Sequence, residues 1–215
     1  DGSAPINEQK TMSALDRPNS YVGKSVPRPN AKRLVQGRGT FVDDIVLPRM
    51  VHLAFQRSPY AHAKIVSIDT EDARAVPGVI DVFTMDDLKD TMTPWVGVLD
   101  HLKGIKSAEQ WPLANGTAFW QGEPVVAVVA NSRAIAEDAA DLVLVEYEEL
   151  TPVTDMATAL DPETPVIHPD MDDNLCFHRV VDAGDVDAAF ADAAAVVEDT
   201  FHFNRHTGVT LEPRA

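Results

Sequence analysis

Short apolar runs separated by turn-forming residues dominate the chain from residue 50 to residue 150. Alternation of apolar and polar positions predicts half-buried strands at 51–55 and 64–68. Further strands are expected at 79–83 and 144–148. The run VVAVVA at 125–130 is apolar throughout, which is typical of a strand buried on both faces. This part of the chain is therefore predicted to consist mostly of strands.

Short helices are predicted between the strands, each beginning at a residue that can cap its first turn. Thr70 or Asp69 is expected to cap one helical turn at 70–75, and Thr84 is the expected N-cap of the next helix. A longer helix should begin after the apolar strand, at Asn131 or Ser132. Its expected apolar stripe comprises Ile135, Ala139, Leu142 and Val143.

The two ends of the chain and two internal segments have a weaker pattern. Residues 1–30 are polar and rich in proline, which predicts an extended arm. Residues 90–118 are the least regular part of the chain, and loops of this length are usually functional or cover a partner. Near the C-terminus, Asp185 is the expected N-cap of an Ala-rich helix at 186–194, and a strand is expected at 196–203.

Composition and charge narrow the class of protein. With 215 residues, 45% of them hydrophobic, the chain is long enough to bury a core. The formal net charge of −16 argues against nucleic-acid binding and against an anionic membrane surface. The single cysteine, Cys176, excludes an intrachain disulfide framework. No apolar run approaches the roughly 20 residues of a membrane helix. A soluble, cytoplasmic protein is expected.

The residues alone predict no metal site and no catalytic centre. His202 and His206 are four positions apart, but the local pattern is a strand that runs into a loop, so they need not share a face. Cys176 lies in an acidic connector, where carboxylates would raise the pKa of the thiol, and a packed or incidental thiol is the expected role. Gly37 and Gly39 lack a phosphate-binding motif and are expected to serve turn geometry.

Two polar clusters have alternative interpretations. Arg57, Tyr60 and His62 would either touch a substrate or cofactor or form a polar turn that faces a partner domain, and the turn is the favoured interpretation. The segment from Arg205 to Arg214, with His206 and Glu212, would either adjoin an active site or contain an Arg–Glu pair that fixes a turn between domains. The second interpretation is again favoured.

Four collinear stretches then carry a family resemblance. GRGTFVDDIVLPRMVHLAFQRSPYAHAKI at 37–65 resembles the start of the large molybdenum-binding subunit of the xanthine dehydrogenase, aldehyde oxidase and carbon monoxide dehydrogenase family. PGVIDVFTMDDL at 77–88 and GEPVVAVVANSRAIAEDAADLVLVEYEELTPV at 122–153 resemble that subunit's α/β hammerhead domain. GDVDAAFADAAAVVEDTFHFNRHTGVTLEPRA at 184–215 resembles the opening of its molybdopterin-binding domain. The ending NRHTGVTLEPRA is most similar to the carbon-monoxide-dehydrogenase-like branch.

The resemblance implies an α+β fold with a defined order of parts. An extended arm at 1–30 would be followed by an α/β hammerhead domain at 31–153 and a connector at 154–183. Residues 184–215 would form the first helix and strand of an incomplete molybdopterin-binding domain. The chain would thus be either one polypeptide of a split large subunit or a portion of a longer one.

The resemblance also implies what the whole enzyme does and what it holds. Family members oxidise aldehydes, N-heterocycles or carbon monoxide, with water as the oxygen source. Electrons pass from the molybdenum of a molybdopterin cytosine dinucleotide cofactor through two [2Fe-2S] clusters to FAD. The family's pterin-contact loop and catalytic glutamate have no counterpart here, so this chain is predicted to be inactive alone and to carry no catalytic residue.

Expected partners follow from the same resemblance. They are the complementary molybdopterin-binding polypeptide, an iron–sulfur small subunit and an FAD-binding medium subunit. Within this chain, the second-shell or interface candidates are Gln121, His206, Glu212 and Arg214. The alternative hypothesis is a non-catalytic assembly or scaffold module that retains the hammerhead fold.

Overall fold

The computed structural model describes residues 21, 23–97, 99, 101–203 and 208–209. The chain divides into two compact units. One comprises residues 1–47 with 202–215, and the other comprises residues 48–201. Most of the predicted N-terminal arm, 1–30, lies outside the described residues.

Among its described residues, the first unit contains two short helical elements. Helix α1 is Ala31–Val35, and a 3₁₀ turn spans Val42–Asp44. Between them Gly37 has a φ of 67°, and its N–H donates to the Leu34 carbonyl at 3.0 Å. Because this left-handed conformation suits glycine, the predicted turn role of Gly37 is confirmed.

The second unit is built on two three-stranded antiparallel sheets. The first sheet has the order β1-β5-β3, and its strands are His52–Arg57, Pro124–Ala130 and Val79–Phe83. The second has the order β4-β2-β6, and its strands are Thr117–Ala118, Ala63–Asp69 and Leu144–Glu149. All five strands predicted between residues 51 and 148 are therefore present, together with the short strand β4.

Strand β5 is the centre of the core. It pairs with β1 on one side and with β3 on the other, so that Ala127 lies opposite both Phe55 and Phe83. Val125, Val126 and Val128 are completely buried. An apolar side chain at every position is what a strand covered on both faces requires, which confirms the prediction for this run.

Helix α4, Arg133–Ala140, packs against β5 and β1. Ser132 Oγ accepts the Ile135 N–H at 3.3 Å, so of the two predicted N-caps it is Ser132 that caps the helix. The predicted apolar stripe was partly wrong. The residues that helix α4 buries are Ala136, Ala139 and Ala140. The helix ends at residue 140, so Leu142 lies beyond it and is exposed, whereas Val143 is buried.

Two shorter helices, α2 at Glu71–Ala75 and α3 at Met85–Leu88, flank β3. At α2 it is Asp69 whose side chain accepts a first-turn N–H, that of Glu71, at 3.0 Å. Thr84 is the N-cap of α3, as predicted, and its N–H donates to the Asp87 carboxylate at 2.7 Å. This hydrogen bond lowers the pKa of Asp87.

The described residues near the C-terminus differ from the prediction. Helix α5 spans Val186–Ala191, three residues fewer than expected, and Asp185 caps it by accepting the Ala188 N–H at 3.0 Å. The described residues 196–203 form no strand. A strand needs a neighbour to satisfy its backbone groups, and this segment pairs with none of the described strands.

The predicted connector, 154–183, contains no helix or strand, but side chains organise it. Asn174 donates to the carbonyls of Ala159 and Pro165 at 3.0 and 2.9 Å and accepts the Ile167 N–H at 3.0 Å. The Lys106 N–H donates to the Cys176 carbonyl at 2.9 Å, and the Lys106 ammonium pairs with Asp173. The connector is thereby fixed to the long loop 90–118.

The fold class is α+β, as predicted. Among the described residues, no helix is long and apolar enough to cross a membrane.

Candidate functional site

Two turns of the second unit meet and are joined by several hydrogen bonds. We call residues 57–62 and 119–123 the two-turn site. The Ser58 N–H donates to the Glu123 carbonyl at 2.9 Å, and the Gly122 N–H donates to the Ser58 carbonyl at 2.8 Å. Arg57 Nη1 donates to the Gly122 carbonyl at 2.8 Å. These bonds fix the first turn to the second.

Each turn is also held internally. The buried Ser58 hydroxyl accepts the Tyr60 N–H at 3.1 Å and donates to the Tyr60 carbonyl at 3.0 Å. In the second turn, Gly122 has a φ of 90°, a conformation that L side chains rarely adopt. The Glu123 N–H then donates to the Trp120 carbonyl at 3.2 Å. The backbone of both turns is therefore strongly determined.

Glu123 is the one buried carboxylate among the described residues, with 5% of its surface exposed. Its Oε2 accepts the Phe119 N–H at 2.6 Å. Burial raises the pKa of Glu123 from 4.5 to about 7, against the opposing effect of the backbone N–H groups of Phe119 and Trp120. The Glu123 carboxyl group thus hydrogen-bonds the backbone of the loop at Phe119, and its pKa lies near neutral pH.

Three rings link the site to the connector. Phe119 lies between His62, at 5.9 Å between ring centroids, and His168, at 4.5 Å. His62 Nδ1 lies 2.9 Å from the Thr151 carbonyl, so Nδ1 carries the proton in this contact. Burial lowers the pKa of His168, and nearby His62 lowers it further. The neutral imidazole is therefore the favoured form at this ring contact.

Tyr147 of β6 packs against Tyr60 of the first turn. Its ring lies 5.3 Å from that of Tyr60, with the planes tilted by 59°. Burial raises the pKa of Tyr147, and among the described residues its buried hydroxyl has no hydrogen-bond partner of good geometry. The site thus has one buried polar atom that a water molecule would satisfy.

The outer surface of the site carries Arg57, Tyr60, Trp120 and Gln121, all exposed. The Arg57 guanidinium also lies over the Phe55 ring, 5.3 Å from its centroid. Arginine, tyrosine and tryptophan are the residues most enriched at energetically important positions of protein interfaces. The arrangement is therefore suited to recognising a partner surface.

The described residues do not fit a metal centre. Among them, no group of three or more His, Cys, Asp or Glu side chains is placed to hold a metal ion.

The sequence-predicted candidates have different outcomes. Gln121 lies exposed in the two-turn site, where the structure also brings Arg57, Tyr60 and His62 together. His206, Glu212 and Arg214 lie outside the described residues. Cys176 is exposed.

Sequence reasoning missed Glu123 and His168. The only local signal for Glu123 is an acidic residue placed directly before a buried strand. His168 has no local signal, because it reaches Phe119 from 49 positions away in the sequence.

The two small antiparallel sheets, with α4 packed on the first, define a compact domain of strands and helices. The amino-acid sequence of this domain identifies its protein family. The sequence model of the family described as "Aldehyde oxidase and xanthine dehydrogenase, a/b hammerhead domain" matches residues 36–151. The chain belongs to this family and contains its α/β hammerhead domain. The resemblance noted from the sequence is thereby confirmed.

Curated relatives include large subunits of enzymes with different substrates. The nicotine 6-hydroxylase large subunit of Paenarthrobacter nicotinovorans is 37% identical over 208 residues, which is 93% of this chain and 25% of the relative. The carbon monoxide dehydrogenase large chain of Afipia carboxidovorans is 37% identical over 217 residues, which is 93% of this chain and 26% of the relative. The chain spans about a quarter of the length of these relatives.

Solved structures agree with the sequence comparison. Quinoline 2-oxidoreductase from Pseudomonas putida 86 matches with a TM-score of 0.71 and 42% identity. The match covers 83% of this chain and 22% of that chain. The hammerhead fold therefore rests on both sequence and structure.

Proposed function

We propose that this chain is the N-terminal portion of the large subunit of a molybdenum hydroxylase. The whole enzyme would oxidise a small substrate of the aldehyde, N-heterocycle or carbon monoxide class, with water as the oxygen source. The chain itself would shape the substrate funnel and the subunit contacts. Support comes from the match over 93% of the chain to large subunits of two such enzymes.

The observation that carries the proposal is the set of exposed apolar side chains in residues 180–201. Val181, Phe190, Val197 and Phe201 are 79%, 61%, 90% and 76% exposed. Helix α5 and the segment after it line a groove of about 450 Å³ whose walls include Val186, Phe190 and Val196. Exposed apolar side chains that line a groove mark an interaction site. In the proposed enzyme it would be covered by the rest of the molybdopterin-binding domain.

The division of the chain forms part of the proposal. The hammerhead domain would comprise residues 31–153, the connector 154–183, and the start of the molybdopterin-binding domain 184–215. The remainder of that domain would hold the molybdopterin cytosine dinucleotide and its molybdenum. An iron–sulfur small subunit and an FAD-binding medium subunit would accept the electrons. The assembly is expected to be cytoplasmic.

The two-turn site is proposed to face the molybdenum domain. Gln121 would contact it from the exposed loop, beside Trp120 and Arg57. His206, Glu212 and Arg214 are proposed as further interface residues. None of the four is proposed to take part in the chemistry.

The test is to purify the native assembly through this chain and to measure its molybdenum, pterin and flavin content. All three are expected to copurify in fixed ratio with the chain. A stable assembly that contains this chain but none of the three would defeat the proposal and favour a non-catalytic scaffold module.

A matched pair of variants locates the contact. Phe190→Asp is expected to reduce copurification at least about tenfold, because truncating or charging a buried anchor of an interface usually costs more than about 2 kcal/mol. Ile80→Asp introduces the same charge at an exposed apolar residue of β3 and is the control. Equal copurification of the two variants would remove α5 from the interface.

A further inference from the structure

Glu123 lies at the base of the loop that presents Trp120 and Gln121, and its carboxyl group contacts the loop backbone. It accepts the Phe119 N–H at 2.6 Å while only 5% exposed. No cation among the described residues forms an ion pair with it. Arg57, in the facing turn, donates to the Gly122 carbonyl. The loop is therefore held by a buried acid without a counter-charge.

We propose that Glu123 is the positioning residue of the two-turn site: its carboxyl group holds the loop 119–122, and its ionisation loosens that loop. Only the identity of the surface that the loop faces rests on the proposed function. The positioning itself follows from the hydrogen bonds between residues 58, 119, 122 and 123.

The sign of the effect follows from proton linkage. In the closed site, where the loop covers Glu123, the pKa of the carboxyl group is about 7. When the loop moves away from Glu123, water solvates the carboxyl group, and its pKa returns to the ordinary value near 4.5. The closed form therefore binds the proton more tightly. Closure is most favourable at low pH and weakens as pH rises from about 4.5 to about 7. The upper limit is one factor of ten for each pKa unit, or roughly a few hundredfold.

Other titratable or charged groups lie in the elements packed around the site. They are Arg57 at the end of β1, Tyr60 and His62 in the first turn, Tyr147 of β6 and His168 of the connector. Burial lowers the pKa of His168, and protonating its imidazole would weaken the ring contact with Phe119 at low pH. Its effect has the opposite sign, so the two are separable.

The experiment is amide hydrogen exchange of peptides that cover residues 113–124, measured in the native assembly and corrected for the intrinsic pH dependence of exchange. In the wild type, protection of the Phe119 and Trp120 amides should fall at least about tenfold between about pH 5.5 and about pH 8.5. The Glu123→Gln side chain stays uncharged at every pH. Amide protection in this variant should therefore not change with pH and should stay near the value that the wild type has at low pH. Glu123→Ala removes the acceptor and should lower protection about tenfold at every pH.

Two controls complete the design. Glu109→Gln makes the same chemical change at an exposed glutamate and should leave the wild-type profile unchanged. His168→Gln should retain the fall in protection between about pH 5.5 and about pH 7. A Glu123→Gln profile that parallels the wild type, or a flat wild-type profile, would overturn the role of Glu123.

Failure of this inference is distinct from failure of the proposed function. Unchanged exchange in an assembly that contains molybdenum, pterin and flavin defeats only the role of Glu123. A Glu123-dependent profile in an assembly without these cofactors defeats only the proposed function.

Discussion

The hammerhead core and the segment at 180–203 use apolar residues in opposite ways. In the core, Val125, Val126 and Val128 are fully buried between β1, β3 and α4. In the segment, the apolar residues of α5 and of the stretch after it remain on the surface. Both regions are rich in valine and alanine, although residues 180–203 also include six acidic residues. The difference shows that an apolar pattern identifies residues that are stabilised by burial. Whether they are buried depends on which other parts of the chain pack against them.

The largest expected contrast comes from placing one charge in each region. Val128→Asp buries a carboxylate with no partner in the centre of β5 and should lower the free energy of unfolding by more than about 4 kcal/mol. Val197→Asp places the same charge at a residue that is 90% exposed and should change it by less than about 0.5 kcal/mol. Denaturant unfolding of both variants beside the wild type measures the contrast. Similar losses would mean that the segment belongs to the core.

The sequence predicted those features that are determined within a few residues. Each of the caps at Thr84, Ser132 and Asp185 joins a backbone N–H to a side-chain oxygen three positions away, so the local pattern is sufficient. The strand β5 was predictable for a different reason. Since it is apolar at every position, it had to be central in whichever sheet contained it.

Features set by distant parts of the chain could not be predicted in this way. The strand expected at 196–203 contains Val and Phe residues that suit a strand, but a strand forms only where a neighbour supplies hydrogen bonds, and none of the described strands does so. Glu123 and His168 become parts of one site only because two turns and the connector meet at Phe119. Their environment, and hence their pKa values, is a property of the fold.

An intermediate effect is expected in the connector, which lies between the two regions in sequence. Asn174→Ala removes three hydrogen bonds, to Ala159, Pro165 and Ile167, and leaves their backbone groups without this partner. The free energy of local unfolding of the connector is expected to fall by about 2 kcal/mol. Limited proteolysis within residues 155–175 should accelerate while denaturant unfolding of the core changes little. As a control, Asn115→Ala alters an exposed asparagine of the long loop. If both variants are cleaved at the same rate, the side chain of Asn174 does not organise the connector.

The smallest expected contrast compares two helix caps of the same kind. Ser132 Oγ and Asp185 Oδ1 each accept the N–H three residues ahead, at 3.3 and 3.0 Å. Loss of such a cap costs about 1 kcal/mol where the helix is part of a cooperative core. Helix α4 buries Ala136, Ala139 and Ala140, so Ser132→Ala should lower the free energy of unfolding by about that amount. Helix α5 buries no residue, so Asp185→Ala should leave global unfolding unchanged and raise only the exchange of its own amides. Equal global losses from the two substitutions would show that α5 unfolds together with the hammerhead core, and the distinction between the regions would then be one of exposure alone.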